Sequence, residues 1–284
     1  ACTTADTSIG ASEYFIQTHA IEGQNLQHIN KGTSSAKKLT LSFYVKGNAA
    51  ATYVCEFQDG NSREIAKPFS VTTSWNRVVL TFDGDTDSGG TIANSNATGL
   101  AINLWLHGGS TFNSGDVADL NTSWSAAGSG GVRAAGADSF FDSTSRTLFI
   151  TGMQLEVGDT ATDFEHEPFE ATIRKCQRYY VRSKNQAYAS FFGGVGWANT
   201  TTSWIGKGQI PVPMRSAPTL IYTGTARVQN GQAGYNLTSF SAGLINTNST
   251  TLSMGAGASG LTLYRAHDVD AGASTAVMQL DAEL

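Results

Sequence analysis

The chain has 284 residues, of which 14% are charged and 31 are glycines. This low-charge, turn-rich composition predicts many short strands rather than long helices. The net charge of −5 offers no basic surface, which disfavours nucleic acid as a partner. No apolar stretch approaches the ~18 residues that a membrane-spanning helix requires, so membrane insertion is not expected either.

Strand patterns dominate the first half of the chain. In "KLTLSFYVKG" (38–47), apolar residues from Leu39 to Val45 alternate with a second set that contains Tyr44 and Lys46. A period of two places one set in a core and the other on the outer face of a sheet. Similar patterns occur at 52–60, 75–84, 100–109 and 146–158. Most of these runs end at Gly, Asp or Asn, the residues that favour turns.

The outer faces of two of these strands suggest a glycan-binding surface. In "LAINLWLHGG" (100–109), Asn103, Trp105 and His107 lie opposite the apolar set, and Tyr44 and Lys46 occupy the same face of their own strand. Sugar sites combine aromatic rings with amide, hydroxyl and charged groups. If the two strands share a sheet, these side chains form one concave platform.

The alternative is that Trp105 is covered, either by a neighbouring subunit or by the long 108–145 segment. This segment is rich in Gly, Ser, Ala and Asp, and segments of this length in compact domains are usually functional or mobile. Because it carries Trp124 and a Phe-Phe pair, we expect it to fold over the sandwich. Trp124 is therefore a further candidate for glycan contact.

The segment "FDGDTDSGG" (82–90) places Asp83, Asp85 and Asp87 at alternate positions, as calcium loops often do. It lacks the glycine at the sixth position of an EF-hand loop, and Asn94 stands where the bidentate glutamate would be. The pattern leaves two interpretations open, a solvated acidic turn and a structural calcium site. No other cofactor is expected.

Short strand patterns resume after Pro168, and they predict a second all-β domain over 169–284, following a first domain over 1–168. A helical turn or two is expected at 170–176, directly before "RYYVR". Strict alternation there places Arg178, Tyr180 and Arg182 on one face, which suggests a contact with another subunit or domain. No repeat period typical of a solenoid is present.

The three cysteines are too few and too widely spaced for a disulfide framework or a zinc site. We expect three free thiols, at least two of them buried, with a Cys2–Cys55 bridge as the alternative. The sequence contains no G-x-S-x-G elbow, P-loop or H-E-x-x-H motif. An enzymatic function is therefore not expected.

The junction "ITGMQLEVGDTATDFEHEPFEATIRKCQRYY" (150–180) resembles a segment of phage tail-fibre and related virion structural proteins. The flanking runs "SAKKLTLSFYVKG", "WNRVVLTFDGDT" and "GLAINLWLHGGSTFNSG" resemble the same family. The resemblance implies a carbohydrate-binding-module-like jelly-roll β-sandwich followed by a smaller C-terminal β-sandwich. It also implies a homotrimer, and such jelly rolls often hold a structural calcium.

The chain starts at "ACTTADTSIG", without an initiator methionine or a signal peptide. By the resemblance, we expect this start to fall within the first jelly-roll strand, so that the region binding other virion proteins would precede it. The expected function is that of a bacteriophage adhesin on the virion, a tail fibre or receptor-binding protein that attaches to host surface polysaccharide. The alternative is a non-adhesive virion component, such as a capsid decoration, head fibre or neck protein.

Overall fold

The computed structural model describes residues 1–6, 8–128, 131–183, 186–246, 249–272 and 276–283. Within these ranges the protein is all-β, with seventeen strands, short 3₁₀ turns and one α-helix. The chain divides into two compact units, residues 1–166 and 167–283. This division falls two residues before the boundary predicted from the sequence. No helix in the described part is both long and apolar enough to cross a membrane.

The first unit contains two antiparallel sheets. Its strands are β1 (Tyr14–Glu22), β2 (Leu39–Gly47), β3 (Ala51–Asp59), β4 (Arg63–Val71), β5 (Asn76–Phe82), β6 (Thr98–Gly108), β7 (Ser125–Ala126) and β8 (Leu148–Val157). One sheet has the order β1-β6-β3-β4-β7 and the other β5-β2-β8. The two sheets enclose one apolar core, as expected of a β-sandwich.

The core follows the alternation of the sequence. Leu41, Phe43 and Val45 of β2 are fully buried, and Ile102 and Leu104 of β6 are buried in the same cluster. The predicted inward faces of β2 and β6 are therefore confirmed. Strands β1 and β4 were not predicted. Most residues of β1 are exposed, so its sequence lacks a clear apolar alternation.

The second unit begins with helix α1 (Phe169–Gln177), where the sequence predicted a turn or two of helix. Its strands are β9 (Tyr180–Arg182), β10 (Ser190–Ala198), β11 (Ser203–Gln209), β12 (Thr219–Thr223), β13 (Arg227–Gln229), β14 (Gly234–Leu244), β15 (Thr251–Ala258), β16 (Ala266–Asp270) and β17 (Val277–Asp281). Strands β10, β11, β15, β14, β13 and β16 form a closed barrel, and β12, β17 and β9 form a separate three-stranded sheet.

This closed barrel replaces the two open sheets expected of a C-terminal sandwich. Glycines in β10 and β11 allow these two strands to pack closely. A Cβ at Gly196 would lie 2.0 Å from the carbonyl oxygen of Ile205, and one at Gly206 would lie 2.4 Å from the Trp204 ring. Strand glycines allow such close approach of neighbouring backbones. Trp204 is fully buried and belongs to this unit's apolar core.

The three cysteines are free thiols, as predicted; Cys2 and Cys55 are buried and Cys176 is exposed.

Candidate functional site

The predicted glycan platform of the first unit is not assembled. Tyr44 and Lys46 lie on β2 of the three-stranded sheet, whereas Asn103, Trp105 and His107 lie on β6 of the five-stranded sheet. The two groups therefore belong to the outer faces of different sheets. Alternation identified the outer faces correctly, but it carried no information on which strands share a sheet.

The outer face of β6 is also inaccessible. Trp105 is only 1% exposed, and Asn103 and His107 are buried. We call residues 109–128 and 131–147 the covering segment. Its residues Leu120, Ala134 and Ala135 form an apolar cluster with Trp105 and with Val54 of β3. The alternative interpretation of Trp105, burial beneath the chain's own long segment, is thus the one that the structure adopts.

A buried ionic network ties the covering segment to the sheet. Arg133 donates from Nε to Oε1 of Glu56 at 2.6 Å and from Nη2 to Oε2 at 2.8 Å. Its Nε also lies 2.9 Å from Oε2 of Glu64. Both carboxylates are fully buried on neighbouring strands β3 and β4. The guanidinium lies 5.0 Å from the centre of the Trp105 ring.

Two side chains of β6 join this network, and a third bonds to the covering segment. Asn103 Nδ2 and Trp105 Nε1 donate to Oε2 of Glu56 at 2.8 and 3.1 Å. His107 forms a hydrogen bond through Nδ1 with the hydroxyl of Ser139 at 2.8 Å. A buried carboxylate is tolerated when it is paired and its oxygens accept hydrogen bonds. The carboxylate of Glu56 therefore has hydrogen-bond donors from both the sheet and the covering segment, whereas Oε2 of Glu64 is buried without a hydrogen bond from any described residue.

The two carboxyl groups differ in their protonation. Burial opposes ionisation of Glu56, but hydrogen bonds from Arg133 and with Glu64 outweigh it and lower the pKa of Glu56 below its usual value. Burial raises the pKa of Glu64 to about 7, and the adjacent charge of Glu56 contributes to this shift. Near neutral pH Glu56 is ionised and Glu64 is about half ionised, so the pair carries between one and two negative charges opposite one arginine. Sequence analysis missed Glu56, Glu64 and Arg133, because their convergence depends on strand pairing and on the fold of the covering segment.

Tyr44 and Lys46 have partners at the surface of the three-stranded sheet. The guanidinium of Arg77 lies 6.0 Å from the centre of the Tyr44 ring. The ammonium of Lys46 lies 5.1 Å from the ring of Trp75 and 5.4 Å from that of Phe149, and both rings are exposed. The predicted residue Lys46 thus belongs to a small aromatic patch that excludes Trp105.

The acidic loop does not gather its three carboxylates. Asp83 is exposed and pairs with Lys38 at 2.8 Å. Asp85 is buried between the ammonium of Lys31 at 2.9 Å and Nε of Arg63 at 2.7 Å. Asp87 caps a 3₁₀ turn by accepting from a backbone N–H.

Two cations therefore occupy the space beside Asp85, and the predicted calcium site at these three aspartates is not formed. Within the described residues, no group of three His, Cys, Asp or Glu side chains has the arrangement of a metal site. Trp124 belongs to this structural cluster. Its Nε1 donates to the carbonyl oxygen of Asp83 at 2.7 Å, and the Lys31 ammonium lies 4.0 Å from its ring centre.

The predicted contact face of Arg178, Tyr180 and Arg182 is only partly formed. Arg178 caps the end of α1, whereas Tyr180 and Arg182 lie on β9, on either side of the buried Val181. Tyr180 donates its hydroxyl to Oε1 of Gln279 at 2.5 Å. Arg178 left the common face because the helix extends to Gln177 and interrupts the alternation.

An open cleft of about 870 Å³ lies within the second unit, between the end of α1, β9, the start of β10 and the end of β11. Its volume is in the range typical of small-molecule sites. Aromatic, aliphatic and amide side chains line it. The lining includes Arg182, Gln186, Tyr188, Ser190, Phe192 and Gln209.

Tyr188 presents an aromatic ring at this cleft. The residue is 61% exposed, and the Arg227 guanidinium lies 5.0 Å from the centre of its ring. Arg227 is held in turn by the buried Asp270, through Nε–Oδ1 at 2.9 Å and Nη2–Oδ2 at 3.2 Å. A buried carboxylate therefore fixes an arginine that contacts the Tyr188 ring.

The backbone at the cleft is strained. Tyr188 has a φ of 62° and Phe192 a φ of 52°, and both residues line the cleft. Left-handed conformations are uncommon for bulky residues, and they concentrate at functional sites. Tyr188 is restrained by its backbone N–H, which donates to the carbonyl oxygen of Gly272 at 2.6 Å. Nothing in the sequence around Tyr188 marked this conformation.

The other aromatic residues singled out in the second half divide between core and surface. Trp204 is buried, Trp197 is exposed and Tyr264 is 77% exposed, and none of the three lines the cleft.

No family model and no curated protein matches the chain. Among solved structures, discoidin II from Dictyostelium discoideum is similar at 8% sequence identity and a TM-score of 0.20, over 98% of this chain and 80% of that chain. Similarity at this level carries no argument about fold or function.

Proposed function

We propose that this chain is an adhesin component of a bacteriophage virion, a tail-fibre or receptor-binding protein that holds host cell-surface glycan. The observation that carries the proposal is the open cleft of the second unit with the supported ring of Tyr188. A fixed aromatic ring beside amide and hydroxyl groups is the combination that suits a sugar, which has apolar ring faces and many hydroxyls. The resemblance of the 150–180 junction to virion fibre proteins supplies the biological setting.

We propose binding without turnover. The side chains that line the cleft in the described residues supply amides, hydroxyls, a guanidinium and aromatic rings, but no carboxylate, imidazole or thiol. Hydrolysis of a glycosidic bond usually requires two carboxyl groups across the bond. This composition favours a site that binds a saccharide without hydrolysing it.

Assembly into a homotrimer is part of the proposal. Helix α1 has no buried residue, and its Phe169 is 78% exposed. A nine-residue helix is marginal without packing on one face, and so large an exposed ring favours burial against further copies of the chain. Three copies on one axis would multiply a weak single-site affinity through effective concentration. Ile173 and Gln177 of the same helix line the cleft, so assembly and glycan binding would share this helix.

The test is competition for cells. Purified full-length chain is added to phage particles and to cells from a panel of bacterial strains, and particle adsorption is measured. The proposal predicts that the wild-type chain reduces adsorption and that Tyr188→Ala loses this effect. Tyr264→Ala, which removes an exposed tyrosine of the same unit outside the cleft, is the matched control and retains it. Equal competition by all three proteins would reject the cleft as the contact site.

A non-adhesive virion role is the second candidate, and the covered face of the first unit favours it. There the covering segment, with Arg133, covers the β6 part of the surface that was predicted to bind glycan. This candidate predicts no competition for cells on any strain. It also predicts a fixed number of copies at the capsid or neck, which immunogold labelling of particles would locate.

A further inference from the structure

We infer that the glycan held by the cleft of the second unit is acidic and that its anionic oxygens, from a carboxylate or a phosphate, bind Arg182. This inference rests on the proposed function, because it names the class of ligand for the same site. A guanidinium recognises both anionic groups, and chemical treatment of the polysaccharide distinguishes them.

The charge of the cleft differs from that of the chain. The whole protein has 23 acidic and 18 basic residues, yet no Asp or Glu is among the described residues that line the cleft. Arg182 is the cation of the described lining. The buried Asp270 is already paired with Arg227, which contacts the Tyr188 ring. A recess of one sign in a protein of the opposite net sign attracts ligands of opposite charge.

Arg182 is placed to bind such a ligand. It lies on strand β9, opposite Gln279 of β17, and its neighbour Val181 anchors the strand in the core. The Arg182 side chain is exposed, and none of the ion pairs within the described residues includes it. Arginine provides a planar fork of N–H donors that matches carboxylate and phosphate oxygens. Arg227, which lies beside the Tyr188 ring, is paired with Asp270, whereas Arg182 is open to a ligand.

The rest of the lining suits the neutral part of an acidic saccharide. Tyr188 and Phe192 provide ring faces, and Gln186, Gln209 and Ser190 provide donors and acceptors for hydroxyl groups. One sugar ring on an aromatic face and one acid group on Arg182 would fix the orientation of a repeat unit. Aromatic contact alone, without Arg182, would leave the orientation of the repeat unit less well fixed.

The experiment uses full-length protein on an array of purified bacterial surface polysaccharides that contain uronic acids, phosphodiesters or only neutral sugars. We expect the wild-type protein to bind acidic polymers and to lose binding as salt is raised. Arg182→Gln should bind about tenfold more weakly or worse. Arg182→Lys should recover part of the affinity. Arg265→Gln removes the same charge from an exposed position outside the lining, and it should bind as the wild type does.

Chemical treatment of the bound polymer identifies the group. Reduction of carboxyl groups to alcohols abolishes binding if the ligand is a uronic acid, and cleavage of phosphodiesters abolishes it if the ligand is a phosphate. Binding to neutral polymers that Arg182→Gln leaves unchanged would overturn the inference and leave the proposed function standing. If wild-type protein binds no polysaccharide on the array and does not compete with particles for cells, both fail together.

Discussion

Substitution of Arg133 by methionine tests how much the buried ionic network contributes to the stability of the first unit. The change keeps an apolar stem of similar length over Trp105 but removes two hydrogen bonds to Glu56, of 2.6 and 2.8 Å, and the 2.9 Å contact with Glu64. Removing one partner of a buried ion pair typically costs about 3–5 kcal/mol, because a charge is left buried and unpaired. Asn103 and Trp105 still donate to Glu56, and Glu64 can hold a proton. We therefore expect a loss near the lower limit, about 3 kcal/mol.

Urea unfolding of the full chain measures the loss, and hydrogen exchange of peptides from β3, β6 and the covering segment assigns it to the first unit. Lys38→Met is the control. It removes an exposed pair with Asp83, and exposed pairs of this kind contribute little to stability. Adding Glu56→Gln to Arg133→Met should recover part of the stability, since the buried charge disappears with it. If Arg133→Met costs no more than Lys38→Met, the network does not hold the covering segment and the reasoning is refuted.

Three further predictions concern Glu64, Cys176 and Gly196. The pKa of Glu64 is raised from 4.5 to about 7 in the folded protein, so its stabilising contribution is complete below about pH 4.5 and is lost as the pH rises through about 7. Denaturant unfolding should show that the wild type loses about 2–3 kcal/mol relative to Glu64→Gln between pH 5 and 8, and parallel pH profiles would contradict this. Thiol titration should detect one reactive group in the native chain, Cys176, and three in urea; rapid reaction of all three in the native chain would contradict the burial of the other two. Gly196→Ala should lower the melting temperature of the second unit, because the new Cβ would lie 2.0 Å from a carbonyl oxygen of β11; an unchanged melting temperature would show that the two strands can separate without cost.

The inward faces of the strands could be predicted because alternation depends on each strand alone. Alternation predicted the burial of the apolar set from Leu39 to Val45 and of Ile102 and Leu104. Strand β4 could not be predicted in this way, because Glu64 and the Lys67-Pro68 pair interrupt its apolar pattern. Glu64 disrupts the pattern for a structural reason, since it belongs to the ionic network under the covering segment.

The candidate sites depend on contacts between distant residues, and a local pattern does not contain them. Trp105 has the sequence signature of an outward ring, and only the packing of Leu120 and Ala134 over it shows that it is buried. Tyr188 lies in an unremarkable run before β10. Its role as a candidate platform follows from its left-handed backbone and from Arg227, which is 39 residues further along the chain.

The central claim is that the ring of Tyr188 helps to hold a host-surface glycan in the cleft. Isothermal titration of full-length chain with polysaccharide extracted from a strain to which the protein adheres tests it most directly. We predict saturable binding by the wild type and by Tyr264→Ala, and binding about tenfold weaker or worse by Tyr188→Ala with its melting temperature unchanged. Equal affinities of wild type and Tyr188→Ala would contradict the account.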